Sequence, residues 1–220
     1  MNIQEKNNKG NVAIQVLELL FVFIALTYFL GYPRNTISDF IVLTGLCLLI
    51  IFMGTKFGLT KPAIAKFSKA DSFLIGFSLV LFVGSWFVGF YKGLVNVDSA
   101  LKAVNITIVY FYYAWIQHFL AQRYMALRFL DYNKQQTKNA KITKHAELYA
   151  ALMTGFVFGI LHIPYPKLIL SAMIGGFIYA YYFLTTGRFW AVVTSHALVS
   201  SAGIFWLLEV NPFRELVGLL

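Results

Sequence analysis

About seven stretches of this chain are apolar for long enough to cross a bilayer, and no other feature limits its fold so strongly. A spanning helix needs about 20 mostly apolar residues, because lipid offers no partner to exposed backbone N–H and C=O groups. The stretches are Val12 to Tyr32, Asp39 to Gly54, Ser72 to Tyr91, Ala103 to Ala121, Leu148 to Ile163, Leu168 to Thr186 and Phe189 to Leu208. The second and fifth are short, which points to tilt, a shallow course or extension into the polar flanks. With 59% hydrophobic and 12% charged residues among 220, and a mean hydropathy of +0.70, a soluble core is excluded. The expected fold is all-α, a polytopic membrane helix bundle of about seven transmembrane helices, or eight with an interfacial segment.

The net charge of +9 would suggest nucleic acid in a soluble protein. Here the basic residues fall in alternate loops, as the positive-inside rule expects. Thirteen of the 18 Lys and Arg, from Lys6 and Lys9 through Lys56 to Lys69, Arg123 to Lys144 and Arg188, would share the cytoplasmic side with the N-terminus. Arg34, Lys92, Lys102, Lys167 and Arg214 would lie opposite. No nucleic-acid partner is expected, and membrane lipids are. The segment Thr55 to Asp71 mixes Phe57, Leu59, Ile64 and Phe67 with lysines and suits an interfacial helix on anionic lipid, interrupted by Pro62. The first apolar run contains Glu18 and lacks a small-residue cleavage site, so it reads as an uncleaved span. Cys47, the sole cysteine, can form no internal disulfide. The expected organisation is a polar tail over 1–11, one transmembrane domain over 12–208 with its motif-bearing core at 104–201, and a short tail over 209–220. The expected location is a bacterial-type plasma membrane.

Three spans carry one histidine each, and an ionisable group inside a span marks a functional site by default. His162 ends the segment FVFGILHIPYP, where Pro164 and Pro166 deny the helix its next donors. His118 lies in YYAWIQHFLAQRY beside Gln117, Gln122 and Arg123. Residues four apart share a helix face, so Tyr113, Gln117 and Ala121 form one stripe and His118 with Gln122 the next. A helix this polar must turn that side into the bundle or a wet cavity. His196 precedes Ser200 by one turn in WAVVTSHALVS. The third span reads as featureless apart from glycines and Trp86, and Gly175 with Gly176 suits close helix packing. Asp131 to Glu147 reads as the longest cytoplasmic loop, with His145 a solvated residue in it.

The motifs resemble those of the CAAX protease and bacteriocin-processing (CPBP, abortive-infection) membrane endopeptidases. That family carries Glu-Glu-x-x-x-Arg on one span, Phe-x-x-x-His on the next, and His-x-x-x-Asn or a similar small polar residue two spans later. Phe158-x-x-x-His162 matches the second motif and His196-x-x-x-Ser200 the third, within a resemblance that runs from about Val104 to Ser201. The first motif departs: Gln117-His118-x-x-x-Gln122 fits one register and His118-Phe119-x-x-x-Arg123 the other, so neither holds a glutamate. The resemblance implies that His162 activates water and that His196 with Ser200 stabilises the oxyanion. Gln117 can hold a water without deprotonating it. His118 can replace the missing carboxylate, because a neutral imidazole accepts a proton near pH 7.

The expected activity is hydrolysis of a peptide bond in a membrane-associated protein or peptide, without a cofactor. Three histidines and a water also describe an open zinc site, although no H-E-x-x-H helix supports it. The alternative from another class is a catalytically silent scaffold or regulatory partner of a membrane protein. The three histidines are expected to line one cavity. For His162 to reach His196, the fifth helix should start in the basic loop and stop inside the bundle.

Overall fold

The computed structural model describes residues 68–136, 145–162 and 166–207, together with helical positions 41, 44, 45 and 48. The first expected span, the second apart from those four positions, Glu18, Cys47, most of the lysine-rich 55–71 segment and the C-terminal tail lie outside the described residues. The described part is helical, with no strand. Its elements are α1 (Lys69–Tyr91), α2 (Val97–His118), a π-helical stretch (Phe119–Ala126), α3 (Leu127–Gln136), α4 (Ala146–Ile160), α5 (Pro166–Thr186), α6 (Phe189–Ala202) and a closing π-helical turn (Gly203–Leu207).

The helix starts follow from local chemistry. Ser68 caps α1 in a reciprocal box with Asp71, and Asn96 caps α2 in the same way with Ser99. Gly93 (φ +68°) and Gly187 (φ +72°) occupy the two tight turns, in a left-handed conformation that a side chain would strain. Helix α1 and the Leu168–Thr186 part of α5 are long and apolar enough to cross a membrane, by length and composition. Most of their exposed side chains are apolar, including Phe73, Phe77, Val80, Phe87 and Phe90 on α1 and Leu170, Ile174 and Ile178 on α5. So large an apolar surface suits lipid rather than water. Among the described residues the all-helical fold stands, and these two helices are the ones that meet the criterion, consistent with a membrane protein.

Helix α6 is the hub, and α1 and α2 both pack against it. It buries Val192, Val193, Ser195, His196 and Ala197, and the core around Val192 and Val193 includes Tyr110 and Ala114 of α2. Helices α4 and α5 form the most extensive pair. Glycine is required there: a Cβ on Gly155 would stand 2.7 Å from the Met173 carbonyl oxygen, and one on Gly176 would stand 3.0 Å from Phe158 Cβ. Gly176 thus meets the expectation of close approach. A Cβ on Gly175 would meet nothing nearer than Tyr179, at 3.8 Å.

Two expectations are corrected. Asp131 to Gln136 is not loop but continues helically as part of α3, where Asn133 is buried and its amide donates to the Ala146 carbonyl at 3.5 Å. Lys134 pairs with Glu147 at 3.2 Å, tying α3 to the start of α4. The third span is not featureless: Asp71, Ser78 and Ser85 of α1 are all buried. The Ser78 hydroxyl lies 2.6 Å from that of Ser195 on α6.

Candidate active site

Helix α4 is short, and its ending creates the site. Its 15 residues extend for about 22 Å, less than the ~30 Å thickness of a hydrocarbon core. It starts at Ala146, against the basic connection, and stops at Ile160, as the geometry of His162 and His196 requires. His162 follows in a turn, its backbone N–H donating to Gly159 O at 2.9 Å. Its ring Nδ1 lies 2.7 Å from the Phe158 carbonyl oxygen, one of the orphan acceptors at the helix end. A carbonyl only accepts, so Nδ1 carries the proton, and in the neutral ring Nε2 holds the lone pair.

A cavity of about 290 Å³ opens beside this turn, lined by residues of α2, α4, α5 and α6 and the closing turn. Its polar lining includes His162, His196, Ser200, Tyr110 and Tyr179, while Leu168, Ala172, Val199 and Leu207 make much of the rest apolar. The ring of Phe158 contacts both histidines, 5.0 Å from His162 and 6.1 Å from His196 between centroids. Tyr179 stacks on His196 at 5.6 Å with planes 11° apart, and its hydroxyl accepts from Ser195 at 3.1 Å. These contacts fix the His196 ring from the side of α5.

His118 lies one layer deeper. It is 0% exposed and does not line the cavity. Its Nε2 is 2.5 Å from His196 Nδ1, and its Nδ1 is 2.6 Å from Gln122 Oε1. The histidines therefore form a chain rather than a ring of three around one space: His196 and His162 meet the cavity, and His118 reaches it only through His196. The expectation that His118 presents a base at the cavity in place of a glutamate is corrected, because both of its ring nitrogens are occupied by protein. The same engagement leaves a three-histidine zinc site without its third donor, and no group of three or more metal-ligating side chains occurs among the described residues.

The remaining expected site residues divide in two. Ser200 and Phe158 line the cavity, and Gln122 supports it through His118. Gln117 and Arg123 do not line it. The Gln117 Oε1 is buried without a hydrogen-bond partner among the described residues, and Arg123 places its guanidinium 5.3 Å from the centre of the Phe189 ring. The chain carrying the first motif is π-helical from Phe119 to Ala126, a winding found often at functional sites.

Tyr110 and Tyr179 were not among the expected site residues. Tyr110 is buried on the cavity and its phenol interacts with Ser200. Its signal in the sequence is a stripe at four-residue spacing, Tyr110, Ala114, His118 and Gln122, every member of which is buried.

Residues 99–202 match the family model described as type II CAAX prenyl endopeptidase Rce1-like. That stretch of the chain is similar to the family described by this model. The match covers just under half of the chain and contains every histidine of the chain just described, together with the Phe158 and Ser200 positions. It agrees with the resemblance read from the motifs. No curated protein and no solved structure matches the chain.

Proposed function

We propose that the chain is a CAAX-type intramembrane endopeptidase that hydrolyses a peptide bond of a membrane-associated substrate with water activated by His162. The observation that carries this reading is the bond from His162 Nδ1–H to the Phe158 carbonyl, which leaves Nε2 as a proton acceptor on a residue lining the cavity. Water attacks the scissile carbonyl, its oxygen forming the new C–O bond while one proton passes to His162 Nε2. The carbonyl electron pair becomes an oxyanion. Collapse of the tetrahedral adduct expels the amine, which takes the proton back from His162. Ser200 and Tyr110 line the same cavity, and their hydroxyls are the donors for the oxyanion. The apolar lining excludes bulk water and accepts an aliphatic portion of the substrate.

The N-terminus lies in the cytoplasm under this reading. A cysteine introduced at Gln136 of a Cys47→Ser chain should label from the cytoplasmic face; labelling from outside alone overturns the orientation.

The activity is tested with the purified full chain in proteoliposomes, offered a farnesylated CAAX peptide and, separately, an unprenylated peptide tethered to lipid. Cleavage of either probe, lost in His162→Ala, is the expected result. If neither is cleaved, or if His162→Ala cleaves as well as the parent, the peptidase reading falls and a scaffold role replaces it.

A further inference from the structure

We propose that Gln122 is a positioning residue that fixes the proton arrangement of His118 and His196, so that His196 presents to the cavity a bare Nε2, a second acceptor beside that of His162. The chain of contacts determines the polarity step by step. Gln122 Oε1 can only accept, so His118 Nδ1, 2.6 Å away, carries the ring proton. Neutral His118 then has its lone pair on Nε2, and His196 Nδ1, 2.5 Å from it, must be the donor. With its proton on Nδ1, neutral His196 is left with a lone pair on Nε2. The amide gives up something for this orientation: Gln122 Nε2 is buried and has no hydrogen-bond partner among the described residues. The surroundings leave the arrangement little room to relax. His118 and Gln122 are both 0% exposed, and His118 is held edge-on by Tyr179 at 5.2 Å and stacked by Phe158 at 6.3 Å.

The inference rests on the hydrolytic reading only for its consequence, and it changes that mechanism at one point. The resemblance puts His196 on the oxyanion side, which requires an N–H directed at the substrate. A bare Nε2 cannot donate. It can accept the second proton of the nucleophilic water, whose first proton goes to His162 Nε2, so that one imidazole on α6 and one on the turn after α4 hold one water by its two O–H bonds. The oxyanion is left to the hydroxyls of Ser200 and Tyr110. A glutamine that cannot itself act as a base thereby sets the direction of a relay that ends at the reacting water.

The test is the nitrogen-15 spectrum of the full chain, labelled at histidine and held in lipid bicelles at neutral pH, with signals assigned by single histidine substitutions. The expected result is a protonated Nδ1 and a bare Nε2 on both His118 and His196. A protonated Nε2 on His196 with a bare Nδ1 overturns the proposal. Gln122→Glu, which also only accepts, should keep the pattern. Gln122→Met, of similar length with no acceptor, should replace it at His196 by a mixture of the two ring forms, and an unchanged spectrum in Gln122→Met overturns the role of Gln122. On hydrolysis, Gln122→Met should lower kcat about 10- to 100-fold, the range known for partners that orient metal-ligating histidines, with KM little changed. Gln122→Glu should restore most of it. If Gln122→Met fails to fold, the parent spectrum still decides the polarity. If the spectrum is as expected and no peptide is cleaved, the peptidase reading fails and the proton arrangement stands.

Discussion

Two buried polar clusters meet α6, one at its start and one two turns along it, and they differ in what they leave unsatisfied. At the start, the Asp71 carboxylate accepts from the Ser68 backbone N–H at 2.6 Å, the Ser68 hydroxyl at 3.0 Å, the Tyr182 hydroxyl at 2.7 Å and the Arg188 guanidinium. Its acceptors are used up by protein, and it binds α1, α5 and the α5–α6 turn together. Further along, His196 and His162 each commit one ring nitrogen to protein and line a cavity with the rest of the ring. A charged but saturated cluster holds helices in register, whereas a neutral cluster whose rings border a cavity can act on a substrate. Charge is therefore the poorer guide to chemistry here.

The sharpest way to break this contrast is His162→Ala. The contrast expects hydrolysis to fall by about 10²- to 10⁴-fold, the contribution of a positioned general base. The variant should insert and fold at parental abundance, because the contacts it loses to the Phe158 carbonyl and ring lie at a helix end beside the cavity. His196→Ala should come next, at about 10²-fold, through loss of the group that orients the water with His162. Rates in bilayers, normalised to inserted protein, check both. If either variant lost fold and activity together, the two clusters would differ less than their bonding implies.

Asp71→Asn should show the opposite signature. It removes the charge that Arg188 faces and turns one acceptor into a donor among groups that all donate. Arg188 keeps about a fifth of its side chain in contact with solvent, so the loss should be about 1–3 kcal/mol rather than that of a fully buried pair. Thermal unfolding in detergent checks the stability, and kcat per folded molecule should not change. A fall in kcat without a fall in stability would mean that the latch communicates with the cavity.

What the sequence revealed and what it hid follow the same division. Histidines in apolar spans are visible because they are costly there, and His162, His196 and Ser200 do line one cavity. The early stop of α4 was legible as well, since Pro164 and Pro166 follow His162 and a full-length helix would have separated the two histidines. The position of His118 was not, because four-residue spacing puts it on a face with Gln122 but does not say which helix reaches that face first. The cavity contacts of Tyr110 and Tyr179 were hidden for a different reason. In a chain with 13 tyrosines, an aromatic on a buried stripe has no mark to separate it from ordinary core. Asp71 and Arg188 are 117 residues apart, and their pairing depends on the packing of α1 against α6. The charge pattern could put both at one side of the membrane but could not join them.

Gln117 carries the smallest effect and separates the two readings of the first motif. In one register it stands where the family has a glutamate, and a role in holding water would follow. Its position argues otherwise: it does not line the cavity, and its Oε1 is already buried without a partner among the described residues. An acceptor that is desolvated and unpaired costs stability in the folded state, and replacing it by an apolar group of similar size is neutral or favourable. Gln117→Leu should therefore leave hydrolysis close to that of the parent and leave thermal stability equal or slightly higher. His118, one residue on, should behave differently, since His118→Leu breaks the chain from Gln122 to His196 and should approach the loss seen for His196→Ala. Measured side by side in the same bilayers, the two substitutions fix the register. A large loss from Gln117→Leu with little from His118→Leu would return the functional position to Gln117 and overturn the relay.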